Sequence, residues 1–465
     1  MLPPWFRKRS SGKLFSEHSG QRYWPLDNIQ RSFQKGEQMQ RRDLLYGSVA
    51  LLGAGFLHSQ APAGFSDSRT AWDAALETLR SNIQPVAAYG GPVLLEGSTY
   101  RGTWLECGPH ESLAYAQLSD FIQPLSGAIT PLQVAENTHR AFFALQRPNG
   151  QLPANVKTHE VGWKAIQMVV PIAATAWELS QLNRNQRFLE DAYQACARWD
   201  NWLCLYRNTR GTGLVEAFCT YDTGQDHSPR WAGVANACPG DDAARCPPDK
   251  SVPRLCPDLS ATTFGARVAL SAMAAALGKN AESQRWMDQA EHIRQLILTR
   301  LWCEEDASFY DVDPAGNFVR IRSVANLRVL GEHVLRRENR HENAMFQQLW
   351  KRQLSNPTAY WSPYPFPSIA LDDPTFVRPI PRNSWGGASQ ALTALRTLRW
   401  MDFYGKEAES RQLMSAWHNA ILRAGAFYQQ LDPISGQFTQ PDPGGYSPCA
   451  LAFLHFVKRL GKPNP

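Results

Sequence analysis

From Ser68 onward this chain repeats one pattern, an apolar stripe at helical spacing followed by a short break marked by glycine or proline, with few alternating β-branched runs. Period and length predict twelve helices, at about 68–84, 110–121, 131–146, 163–183, 187–206, 260–277, 280–302, 322–333, 338–354, 386–404, 406–425 and 447–460. In the sixth of these, Phe264, Val268, Ala272 and Met273 recur at helical spacing. The stops are as legible: Gly278 follows one helix, Arg147-Pro148-Asn149-Gly150 follows another, and Gly405 divides a hairpin. Six helical hairpins in succession specify an all-α fold that closes as a double ring. Loops at one mouth of such a ring carry the chemistry, and polar and aromatic residues gather in 104–110, 221–231, 360–385 and 427–446.

The 465 residues include 16 Trp and 14 Tyr, a heavy load of rings that either pack a large core or stack on a ligand. The net charge of +6 does not mark a nucleic-acid binder. Residues 1–63 hold nine Lys/Arg against four Asp/Glu, so five of the six positive charges lie there and the remainder is close to neutral. That leader reads as an export signal. Arg41-Arg42-Asp43-Leu44-Leu45 resembles a twin-arginine motif, an apolar stretch runs from Leu44 to Leu57, and Ala61-Pro62-Ala63 provides a cleavage site. The apolar stretch is too short and too rich in glycine for a stable membrane span. Initiation at Met39 would make residues 1–38 an over-called upstream extension. Residues 64–465 are then one large helical domain of a periplasmic or secreted protein.

Export bears on the nine cysteines. Cys219, Cys238, Cys246 and Cys256 fall in one Pro/Gly/Asp-rich excursion at about 219–258, where two disulfides are expected. Cys196, Cys204, Cys303 and Cys449 sit in apolar helical contexts and read as small buried hydrophobes. No zinc-type spacing, HExxH, phosphate-cradling glycine loop or EF-hand pattern occurs, so neither a metal nor an organic cofactor is implied.

The densest chemistry lies in Tyr221-Asp222-Thr223-Gly224-Gln225-Asp226-His227-Ser228-Pro229-Arg230-Trp231. Gly224 and Pro229 disfavour a continuous helix, so the two carboxylates belong to a shaped loop. Glycoside hydrolysis requires two carboxyl groups and aromatic platforms, whereas the plainer reading is a turn with a surface Asp–Arg pair. The string resembles the ESGWD-x-SPRW segment of inverting glycosidases with an (α/α)6 barrel: trehalases, processing α-glucosidase I and the mannosylglycerate hydrolases. The resemblance implies that Asp226 is the general acid and Asp222 the counterpart of the preceding Glu. Arg230-Trp231 match outright.

Weaker similarities extend over most of the chain after the leader. Gln146-Arg147-Pro148-Asn149-Gly150-Gln151-Leu152-Pro153 is similar to the family's Q-x-P-D-G-x-x-P loop, and Gln167 with Pro171 to the start of the next substrate-facing helix. Arg382-Asn383-Ser384-Trp385-Gly386-Gly387 stands where the family has W-R-G-P-x-W. The family's general base is the Glu of E-x-Y-D/N-P-x-T-G, and here Gln429-Gln430-Leu431-Asp432-Pro433-Ile434-Ser435-Gly436 puts Gln429 in its place. An amide cannot take a proton from water. Either another carboxylate serves, with Glu106, Glu111, Asp373 and Asp442 as candidates, or the cleft binds sugar without hydrolysing it. A lyase or epimerase on such a barrel would want a more basic cleft.

The resemblance thus implies a glycosidase acting on an α-linked small glycoside or oligosaccharide. Asp226 would be the acid. Asp222, Arg230, Asn383 and Gln429 would hold hydroxyls, and Trp104, Trp231, Trp361 and Trp385 would form stacking walls. Burial beside Trp231 and repulsion from Asp222 should keep Asp226 protonated. Arg230 should then contact Asp222 or substrate more closely than it contacts Asp226. His227, beside the acid, is either a sugar ligand or a plain structural hydrogen-bonder.

Overall fold

The computed structural model describes residues 64–461, apart from residues 126, 128, 383 and 440–443. The export motif and its apolar stretch lie outside the described residues. So do two of the candidate site residues, Asn383 and Asp442.

Among the described residues the twelve expected helices are all present. They are α1 (Ser68–Asn82), α2 (Gly108–Ala116), α3 (Pro131–Ala144), α4 (Ile172–Asn183), α5 (Gln186–Tyr206), α6 (Pro257–Ala276), α7 (Asn280–Arg300), α8 (Ala325–Gly331), α9 (Arg340–Leu349), α10 (Ala391–Arg396), α11 (Glu407–Ala424) and α12 (Ser447–Leu460). The even-numbered helices form the inner ring. α2 packs on α4, α4 on α6 and α6 on α8; α8 meets the turn Thr397–Arg399 that continues α10; α10 packs on α12, which returns to α2. Odd-numbered helices lie outside them, with α3 on α2, α5 on α4 and α6, α7 on α6, and α1 and α11 on α12.

Side-chain pattern assigns the rings. Every residue of α2 is buried, as is α12 from Ser447 to Val457, the signature of a helix enclosed on all sides. In the outer helix α7 only Trp286, Ala290, Ile293, Arg294 and Ile297 are buried, a single stripe facing inward. Helix ends are set locally. Thr130 and Gln133 form a reciprocal capping box on α3, and Gly425 and Gly461 end α11 and α12 in the left-handed conformation.

Two predicted helices start later than expected, and both lie beside the inner mouth. Residues 163–171 are not helical. The backbone N–H groups of Ile166 and Met168 donate instead to Asp222, and α4 begins only after Pro171. Residues 386–390 are likewise withheld from α10, because Ser389 and Gln390 pair antiparallel with Leu431 and Gln430. The remaining strands are two to three residues long and brace the loops.

The expected pair of disulfides is not formed. All nine cysteines are free thiols, and in the excursion Cys219 and Cys238 approach no closer than Sγ–Sγ 3.6 Å. No helix among the described residues is long and apolar enough to cross a membrane.

Candidate active site

The loops leading into α2, α4, α6, α10 and α12 line a cavity of about 360 Å³ at the N-terminal ends of the inner helices. Trp104 and Trp385 provide its aromatic surface, and Asp226, Glu96 and Glu106 its carboxyl groups. Gln167, Gln429 and Tyr100 complete the polar lining, with Leu392 and the backbone of Gly224 between them.

Asp226 reaches this cavity because the rest of its loop is tied down elsewhere. Asp222 is buried against Arg207, with Oδ2 2.5 Å from Nη1 and Oδ1 3.1 Å from Nη2. It also accepts from the backbone N–H groups of Ile166, Phe218 and Cys219. Thr223 accepts from Trp231 Nε1 through its hydroxyl and from Arg328 Nη1 through its carbonyl. Gln225 accepts from Arg230. The guanidinium of Arg230 is forked between Asp258 and Asp311, at 2.5–2.8 Å, and all three side chains are buried. Against the burial that would raise it, Arg230 and then Arg328 hold Asp258 at about 2. The Asp226 carbonyl accepts from the N–H of Trp385 at 3.0 Å, which leaves its side chain to face the cavity.

Several assignments made from the motif are therefore corrected. Asp222 is an anchor for Arg207 and does not line the cavity. Arg230 contacts neither Asp222, Asp226 nor the cavity, because Asp258 and Asp311 saturate it. Trp231 is buried, its indole N–H donates to Thr223 and its ring is covered by the guanidiniums of Arg230 and Arg254, so it offers the cavity no stacking face. Trp361 is half-buried and packs against Trp350 and Phe366 at the edge of the core, and Asp373 is held by the N–H groups of Arg322 and Thr375. Glu111 is fully buried behind the lining and does not reach it. His227 is exposed and adopts a left-handed φ of 56°. Trp104, Glu106, Gln167, Asp226, Trp385 and Gln429 are brought together.

Two lining residues escaped the sequence reading, Glu96 and Tyr100. Glu96 closes the apolar run Val93-Leu94-Leu95, a lone acid at the end of a buried strand, which was the available signal. Its Oε1 accepts from the Tyr446 hydroxyl at 2.7 Å. Tyr100 donates to Gln429 Oε1 at 2.9 Å.

The cavity is an acidic site in low dielectric. Burial raises the Asp226 carboxyl above its ordinary value, and His227 and Lys164 oppose it. Burial holds Glu106 at about 7, with Arg396 and Arg328 acting the other way. Glu111 is also raised to about 7 by burial, and Glu96 is pushed well up by burial and by Glu111. Glu106 owes its place to a missing side chain, since a Cβ on Gly224 would fall 1.3 Å from its Oε2. Such a lining offers indole surface and several carboxyl groups to a small polyhydroxylated ring.

Residues 125–449 match the family described as the mannosylglycerate hydrolase MGH1-like glycoside hydrolase domain. The mannosylglycerate hydrolase of Thermus thermophilus, solved in complex with Tris, superposes with a TM-score of 0.62 at 17% identity, over 83% of this chain and 100% of that one. The neutral trehalase of Saccharomyces cerevisiae gives 0.60 at 12% identity, over 83% and 80% of the two chains. A bacterial glucoamylase complexed with acarbose gives 0.50 at 11% identity, over 84% and 55%. At these identities the likeness is one of fold, the (α/α)6 barrel. No curated protein matches the chain by sequence.

Asp222→Ala should strand the Arg207 charge in the interior and lower stability by about 3–5 kcal/mol, measured by urea unfolding; a loss below about 1 kcal/mol would contradict the anchoring role. The buried carboxyls make a second prediction. Glu106 and Glu111 titrate at about 7 in the folded chain against an ordinary value of 4.5, so between those values the folded state holds protons that the unfolded state has released. Their contribution to stability must fall as pH rises from 4.5 through 7. In thermal melts across that range, Glu111→Gln should flatten part of the fall.

Proposed function

We propose, for a chain that belongs to the mannosylglycerate hydrolase MGH1-like glycoside hydrolase family, that it hydrolyses an α-linked small glycoside or oligosaccharide with inversion at the anomeric carbon, Asp226 acting as general acid. The observation that carries this reading is the isolation of Asp226: every other charged group in its rigid loop except the exposed His227 is locked into a buried ion pair, while its own carboxyl, raised by burial, faces a tryptophan-walled cavity. A carboxyl that stays protonated above its ordinary range is what proton donation to a leaving oxygen requires.

In this reading the sugar ring lies between Trp104 and Trp385. Gln167, Gln429 and Glu106 hold its hydroxyls. Asp226 protonates the glycosidic oxygen as the bond to the anomeric carbon breaks, and a water attacks from the opposite face with a second carboxylate as its base. The competing reading, a barrel that binds sugar without cleaving it, draws on Gln429 at the family's base position. The further carboxyl groups in the cavity favour hydrolysis.

We also propose that the chain is exported by a twin-arginine route, supported by its basic leader and the motif at Arg41-Arg42. Cys219 and Cys238, with sulfurs 3.6 Å apart, are then the thiols closest to pairing in an oxidising compartment. Cell fractionation of the full chain should recover it outside the cytoplasm; recovery in the cytoplasm alone would refute export.

The test of the chemistry is turnover of α-glucosides and α-mannosides with anomer-resolved detection by NMR. Asp226→Asn should lower kcat/KM on alkyl glycosides and disaccharides by about 100- to 10,000-fold. Because the acid must be protonated, wild-type activity should decline as pH rises through the raised Asp226 ionisation. A first-formed product of retained configuration would exclude inversion, and sugar binding with no turnover of any glycoside would establish the binding-protein reading.

A further inference from the structure

Resting on the hydrolytic reading above, we propose that Glu96 is the residue that activates the attacking water, in the place where Gln429 cannot. Two neighbourhoods can be told apart within the lining by their contacts, bridged where Tyr100 packs edge-on against Trp104. Asp226 belongs with Trp385, whose N–H it accepts, and with Gly224, against which Glu106 lies. Glu96 belongs with Gln429. Tyr100 joins Gln429 through its hydroxyl and pairs in a tight bridge with Gly97, next to Glu96. Gly97 also bridges to Tyr446, whose hydroxyl donates to Glu96 Oε1. Inversion needs its acid and its base on opposite faces of the sugar. Glu96 is the cavity carboxyl grouped with Gln429, whereas Glu106 is grouped with the acid.

What stands behind Glu96 suits the role. A carboxylate oxygen of Glu96, one of Glu111 and the sulfur of Cys107 lie within 4.8 Å of one another, all buried. Neither oxygen of Glu111 has an N–H or O–H partner among the described residues; the Cys107 thiol and the more distant charge of Arg396 are what oppose its burial. Repulsion between two carboxyls this close raises the proton affinity of each. The Tyr446 hydroxyl, donating to Glu96, favours its charged form and so opposes the burial and the Glu111 repulsion that push its carboxyl up. Glu96 is in this way a carboxylate of raised basicity, suited to taking a proton from water.

In the step itself, the water oxygen bonds to the anomeric carbon as one of its protons passes to a Glu96 oxygen. The bond from that carbon to the glycosidic oxygen breaks with its electron pair on the oxygen, which takes the Asp226 proton. Glu96 ends neutral and Asp226 ends as a carboxylate, and exchange with solvent restores both.

Glycosyl fluorides separate the two roles, because fluoride departs with little help from an acid but the water still needs a base. With the full chain and α-glucosyl and α-mannosyl fluorides, Asp226→Asn should retain turnover within about tenfold of wild type, and Glu96→Gln should lose about 100- to 10,000-fold in kcat. Sodium azide should restore turnover of the fluoride by Glu96→Ala and yield the β-glycosyl azide, a product that a merely structural defect cannot give. Glu96→Asp, with thermal melts on every variant, covers the case in which the larger change perturbs folding; it should keep measurable activity with a shifted acidic limb of the pH profile. Wild-type turnover with Glu96→Gln above about one-tenth of it, or azide rescue of Glu106→Ala in place of Glu96→Ala, would overturn the assignment and leave the hydrolytic reading intact. No wild-type turnover of any fluoride or glycoside would overturn both.

Discussion

The fork of Arg230 between Asp258 and Asp311, together with the Arg207–Asp222 pair, is the constraint around which the mouth of the barrel is organised. Charges taken this far from water are costly, and their mutual attraction offsets that cost only when every donor is matched. Here the matches run between separate parts of the chain. Arg230 ties the acid loop to the start of α6 and to the strand at Asp311–Val312, and Asp222 ties it to the end of α5 and to the segment before α4. The loop has one conformation in which all these bonds close. Apolar residues could have packed the same space as tightly, but they would not have discriminated between neighbouring registers of a loop that has little regular structure.

This accounts for what the sequence disclosed and what it concealed. The helices were legible because an enclosed helix and a one-sided helix leave different apolar periods, as α12 and α7 illustrate. Helix starts at the mouth were misjudged where long-range partners override local propensity: Ile166 and Met168 give their N–H groups to Asp222, and Ser389-Gln390 pair with Gln430-Leu431. The motif drew attention to a loop that lines the cavity, for a reason that motif matching alone could not supply. Asp222, Arg230 and Trp231 are characteristic because they hold the loop, and only Asp226 is presented by it. Spacing along a chain does not distinguish a residue that holds from one that is held out.

Glu96 illustrates the opposite limit. Its sequence surroundings are those of a buried strand end, and its partners Tyr446 and Glu111 are 350 and 15 positions away. Its meaning depends on which side of the cavity each carboxyl occupies, a relation that exists only in three dimensions. The replacement of a base by Gln429 was visible in the sequence, while the carboxyl grouped beside that amide was not.

Closure of the inner ring by α12 has a consequence for how this chain acquires its site. The pocket draws on residues from Glu96 to Gln429, and the Glu96 wall is completed by Tyr446 and by Ser447, whose N–H donates to the Glu96 carbonyl at 2.8 Å. A nascent chain leaving the ribosome can form its early hairpins but cannot seal the ring until α12 has emerged. Contacts that span so much of the contour are slow to form, because the entropy of closing the loop is lost before the packing is gained. Until then the apolar faces of α2 and α1 await their C-terminal partner, so premature termination in α12 would leave a chain with most of its helices and no cavity.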